Sequence, residues 1–76
     1  MTIVGHVDDA AITSKVKSRM VEDHAVDTTA IGVETQNGSV ALSGYAKNAL
    51  EKSTAESIAM KVKGVTAVQN NLVVRP

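Results

Sequence analysis

Asn37-Gly38 stands between two alternating apolar runs, Ile31-x-Val33-x-Thr35 and Val40-x-Leu42. Both central residues of a type I′ turn need positive φ, and Asn-Gly meets that need at low cost. The dipeptide therefore predicts a hairpin of strands 30–36 and 39–45, its register fixed by the two-residue turn. A slip of one residue would turn the whole apolar set of a strand to water. Val40 and Leu42 point inward, Ser39, Ala41 and Ser43 outward. Gly44 reads as the end of the second strand, where glycine suggests positive φ, a bulge or a close backbone approach.

Helical periodicity flanks the hairpin. Ile12, Val16 and Met20 recur at i, i+4 and i+8 and predict a helix over 9–23, capped by Asp8 or Asp9. The polar stretch 24–29 reads as a loop from which Val26 plugs the edge of the core. A second helix is predicted over 48–63, with Ala55, Ile58, Ala59 and Val62 as its buried stripe. Asn48 and Glu51 have capping-box spacing. Gly64 reads as the left-handed residue that ends this helix, and Val65 as the apolar residue behind it. A third strand follows over 67–74, with Val68, Leu72 and Val74 on one parity. Asn70 shares that parity, so it needs a hydrogen-bond partner or an edge position. The order is α-β-β-α-β, with both helices packed on one face of the sheet. Residues 1–7 read as a tail or a short extra strand, and 8–76 as a single domain.

Composition narrows the function more than it defines it. Seventy-six residues without Cys, Phe or Trp exclude disulfides, thiolate zinc sites and cysteine nucleophiles. The core must be built from Val, Ile, Leu, Met and Ala. The formal net charge is zero, which gives little attraction for phosphate backbones. The lone Tyr45 makes no stacking platform for bases, so nucleic acid is not an expected partner. His6 lies in the tail and His24 behind Glu22-Asp23 at a helix end. Neither has a Ser or Asp constellation for nucleophilic catalysis or a second ligand at zinc spacing. No catalytic residue, metal site or cofactor is expected. A KH-like reading lacks the Gly-x-x-Gly clamp, and a metal-carrier reading lacks Cys-x-x-Cys.

Charge is unevenly spread. Through residue 46, Lys15, Lys17 and Arg19 face six carboxylates; beyond it, Lys47, Lys52, Lys61, Lys63 and Arg75 face only Glu51 and Glu56. Either the asymmetry is incidental, or the second half meets an anionic surface. On the second helix Leu50, Ser53, Ser57 and Met60 project away from the core stripe. Leu50 and Met60 are then either isolated surface residues or part of a contact face.

The ordered pattern resembles the BON domain family, named for bacterial OsmY and nodulation proteins. It runs Asp9-x-x-Ile12-x-x-x-Val16-x-x-x-Met20, then Ile31-x-Val33-x-Thr35-x-Asn37-Gly38-x-Val40-x-Leu42-Ser43-Gly44. It continues Ala55-x-x-Ile58-Ala59-x-x-Val62-x-Gly64-Val65-x-x-Val68-x-Asn70-x-Leu72-x-Val74. The resemblance implies an α/β (α+β) two-layer sandwich, two helices on one face of a three-stranded mixed sheet. It also implies a non-enzymatic module of the bacterial periplasm or outer membrane, tied to osmotic or envelope stress and to phospholipid surfaces. Leu50, Lys52, Met60, Lys61 and Lys63 are the expected membrane contacts, and Gly38, Gly44 and Gly64 the structural glycines. Alternative readings are a protein-interaction or self-association module, paired with an envelope protein, a second BON domain or another copy, and a potassium-binding module. No signal peptide is read at residues 1–6, which leaves a cytoplasmic location open.

Overall fold

The computed structural model describes residues 8–75; the tail or extra strand expected at 1–7 lies outside them. The elements are α1 (Asp9–Glu22), β1 (Ile31–Gln36), β2 (Ser39–Ala46), α2 (Ala49–Met60), β3 (Ala67–Asn70) and β4 (Val73–Val74). Strand β2 is central. It pairs antiparallel with β1 and parallel with β3 and β4. Helix α1 packs over β1, α2 over β2 and β3, and the helices touch each other. This is the expected mixed-sheet sandwich.

The hairpin forms as the turn chemistry demands. Asn37 and Gly38 have φ of 51° and 82°, and Val33 stands opposite Leu42. Asp8 caps α1, its Oδ1 accepting the Ala11 N–H at 3.1 Å. That leaves Asp9 free to reach the hairpin tip. Its two carboxylate oxygens accept the N–H groups of Asn37 and Gly38 at 2.9 and 3.1 Å. Helix α1 is thus tied to the turn that sets the register.

Several expectations need correction. Strand β2 does not end at Gly44 but continues to Ala46, which is fully buried. Gly44 does have positive φ, at 108°. Its Tyr45 neighbour donates to the Ala30 carbonyl at 3.1 Å, so the strand passes so close to Ala30 that a Cβ at Gly44 would collide with that carbonyl oxygen. Helix α2 stops at Met60, short of 63. Gly64 (φ 97°) does not follow the helix directly but closes a further turn, in which Val65 N–H donates to Val62 at 3.2 Å. The third strand is broken in two. Asn70 Oδ1 accepts the Leu72 N–H at 3.2 Å, and Asn71 N–H donates to Leu42 at 2.9 Å. That local bond turns the chain between β3 and β4.

The core comprises Ile12, Val16, Met20, Val26, Ile31, Val33, Val40, Leu42, Ala46, Ala55, Ala59, Val62 and Leu72. Ile58, Val65 and Val68 were expected inside it but only pack against its rim. Val68 lies on a strand bonded on one side, and Ile58 sits at the margin of the α2 stripe. Val74, expected on the core parity, is exposed.

Candidate functional site

Helix α2 turns two large apolar side chains, Leu50 and Met60, to solvent. It starts at Asn48, whose Oδ1 accepts the Glu51 N–H at 2.7 Å. Glu51 does not close a capping box on Asn48. Only 3% exposed, it takes the Lys47 N–H on Oε1 at 2.7 Å and the Asp27 N–H on Oε2 at 2.8 Å. One carboxylate thus joins the β2–α2 link to the loop before β1. The far side of α2 is held by Asn70, whose Nδ2 donates to the Lys52 carbonyl at 2.9 Å and to Glu56 Oε1 at 3.1 Å. This provides the partner that the parity of Asn70 required.

With its inner side pinned twice, α2 turns a fixed face outward. At about 100° per residue, Leu50, Ser53, Ser57 and Met60 fall in one arc of about 80°. Leu50 is 74% exposed and Met60 58%, about 15 Å apart along the axis. The lysines do not cluster. Lys61 faces α1, in a groove with Arg19, Glu22, Asp23, Ile58 and Val62. Lys52 is half-buried on the β3 side, and Lys63 is exposed in the turn beyond the helix. The result is a ridge of Leu50 and Met60 with Ser53 and Ser57 between them, flanked by Lys61 beside Glu22 and Asp23 on one side and by exposed Glu56 and then Lys52 on the other, with Lys63 beyond its end.

Two features escaped the sequence reading. Val21, in the last turn of α1, is exposed on the same layer as Met60. On the uncovered face of the sheet, the Arg75 guanidinium lies 4.5 Å from the centre of the Tyr45 ring, and Val73 stands beside Tyr45. No local motif announces a cation–π pair between residues thirty apart; only the parallel pairing of β2 with β4 creates it. Near this end Asp27 has its carboxyl held below the ordinary value. The Thr29 hydroxyl and N–H donate to it at 2.6 and 3.0 Å, and Lys47 adds its charge. These bonds shape a loop and bring no nucleophile to a base. Among the described residues no group of three or more His, Asp or Glu side chains is placed to hold a metal ion, and no helix is long and apolar enough to cross a membrane.

Known proteins share this architecture. A family profile described as BON domain matches residues 8–76. Osmotically-inducible protein Y of Escherichia coli (strain K12) is 38% identical over 71 residues, which make up 93% of this chain and 35% of that protein. The C-terminal domain of CdsD, the structural protein of the type III secretion system of Chlamydia trachomatis, has a TM-score of 0.73 at 23% identity. The match covers 90% of this chain and 34% of the other, and it shows likeness of fold. The chain spans about a third of the length of each of these relatives.

Proposed function

Because this chain belongs to the BON domain family, we propose that it is a binding module of the bacterial envelope that lays α2 on anionic phospholipid during osmotic stress. The observation that carries this reading is the exposed Leu50–Met60 ridge with Lys61 on one flank, Lys52 on the other and Lys63 at its end. Such a helix binds in the interfacial plane: apolar side chains enter the headgroup boundary and lysines reach anionic groups beside them. The similarity to an osmotically-inducible protein supports the stress setting, and a periplasmic or outer-membrane location is part of the same proposal. The module acts by binding rather than catalysis. Its relatives are about three times as long, so a second BON domain or another copy is the natural means of strengthening a weak contact.

Vesicle flotation tests the reading. Each lysine near an anionic surface contributes about 1 kcal/mol. Removing Lys61 and Lys63 by Lys→Gln changes should therefore weaken binding to phosphatidylglycerol vesicles roughly thirtyfold, and salt should weaken the wild type in the same direction. Leu50→Ser with Met60→Ser should lower binding without altering the salt slope. Equal binding to neutral and anionic vesicles, or none to either at low salt, defeats the proposal.

A further inference from the structure

Among the described residues strand β1 borders the sheet, since β2 carries β3 and β4 on its other side. In an antiparallel ladder, residues alternate between those bonded to the partner strand and those whose backbone groups point away. The two-residue turn closes on the Gln36–Ser39 pair, and Tyr45 N–H donates to Ala30. That phase directs Ala30, Gly32, Glu34 and Gln36 toward β2. It leaves the N–H and C=O groups of Ile31, Val33 and Thr35 pointing outward, and no bond to them is made among the described residues.

The edge is also shaped. An open groove of about 750 Å³ wraps the hairpin end of this edge, from Asp9, Ala10 and Thr13 on α1, past Val33 and Thr35, to Glu34, Ala41 and Gln69 on the uncovered face. Of the α1 side chains that line it, Ala10 and Thr13 are small, and Asp9 is turned to the hairpin tip. Thr13 is held in place by its hydroxyl contact with the Thr35 hydroxyl at 2.8 Å. Beneath the overhang there is room for side chains of an added strand.

We infer that this edge accepts an extended, basic polypeptide segment by strand addition, a contact surface separate from the α2 ridge. Two observations choose the occupant. The first is steric. A second copy pairing β1 to β1 about a two-fold axis would place the two strands about 4.8 Å apart. Helix α1 lies over β1, so the two α1 helices would be forced together at nearly that separation, whereas packed helices need 8–10 Å between axes. A bare strand brings no helix. The second is charge. Glu34 is the charged side chain on the outer face of β1, with Gly32 beside it, and no other strand lies on its free side among the described residues. A Lys or Arg across from Glu34 would make a favourable cross-strand pair. On the opposite face Ala10, Thr13 and Val33 suit Val- or Thr-sized side chains. Backbone bonds supply affinity and the alternating side chains supply choice.

The test uses the full chain and a nine-residue peptide of alternating Val and Lys, observed by amide hydrogen exchange. The expected result is new protection of the Ile31, Val33 and Thr35 amides, with none at α2. The same peptide N-methylated at alternate residues should not bind. Glu34→Lys alters an exposed side chain whose backbone bonds face β2, so the fold should persist. It should weaken the Val–Lys peptide roughly three- to tenfold and favour a Val–Glu peptide in turn, while vesicle flotation stays unchanged. Unaltered exchange at the three edge amides, equal binding of the methylated peptide, or dimerisation through β1 seen by light scattering would each overturn the inference.

Discussion

Glu51→Gln should be among the most damaging single-atom changes in this domain. The carboxylate accepts two backbone N–H groups, from Lys47 and Asp27, at 2.7 and 2.8 Å, and is 3% exposed. A glutamine has one acceptor oxygen, so it can keep one of these bonds and must turn its NH2 group toward the other donor. The cost has two parts. A bond to a charged acceptor, worth about 1.5–3 kcal/mol, is replaced by a neutral one, and a part-buried N–H loses its partner, at the lower end of about 1–3 kcal/mol. These parts overlap, and about 2–3 kcal/mol of destabilisation is expected. For a domain this small that is a fall of roughly 10–20 °C in Tm. Urea unfolding followed by circular dichroism measures it, with Glu22→Gln on exposed α1 as a control expected to stay within about 0.5 kcal/mol. The m-value should not change, since both states keep their surface. If Glu51→Gln and the control melt at the same urea concentration, the two bonds do not hold the loop to the helix, and the argument fails.

Gly44→Ala should cost about 3 kcal/mol or more, because φ of 108° and the collision with the Ala30 carbonyl act together; a variant of wild-type stability in urea would refute this. Asp9→Ala should free the hairpin tip from α1, lowering stability by about 1–2 kcal/mol and raising the exchange rates of the Asn37 and Gly38 amides. Asp27, whose folded pKa is depressed, contributes stability above its ordinary carboxyl range, and that contribution is lost as pH falls through the folded pKa. Thr29→Val removes the hydroxyl bond, so an NMR titration should show the Asp27 pKa moving back up toward its ordinary value; an unchanged titration curve would show that the hydroxyl is not the cause.

The parts of this fold that were legible rest on periodicity and local stereochemistry. Asn37-Gly38 fixed the hairpin because few dipeptides tolerate two positive φ values in succession. The Ile12, Val16, Met20 stripe marked α1 because a helix returns to one face every three or four residues. Leu50 and Met60 were legible as outward-facing by the same geometry. Other features depend on residues brought together from afar. Gly44 looks in sequence like a terminator, but the reason for the glycine is the Ala30 carbonyl, fourteen residues earlier. The break between β3 and β4 depends on Asn70 bonding both α2 and its own chain two residues on. Glu51 looked like half of a capping box, and its bond to Asp27, across a separation of 24 residues, is invisible to any short window. Lys52, Lys61 and Lys63 are expected together as membrane contacts, and only the helix geometry shows that Lys52 and Lys61 point to opposite flanks.

A core without Phe or Trp helps to explain why these polar ties matter. Its buried side chains are Val, Ile, Leu, Met and Ala, and small aliphatic groups contribute less per residue than aromatics. A domain of this size has little burial to spare. Asp9, Glu51 and Asn70 each fasten two elements by bonds to backbone groups that would otherwise lose water without a replacement. Two of the three hold α2. The helix that offers Leu50 and Met60 outward is therefore fixed from its inner side at its first turn and along its flank, so a surface can be engaged without repacking the core. Strand β1 is fastened differently. It is held by β2 on one side and α1 above, and it keeps a free backbone edge among the described residues. The first surface presents side chains in a rigid array and suits a fluid, poorly specific partner such as a membrane. The second presents backbone donors and acceptors and suits a partner that can itself become a strand.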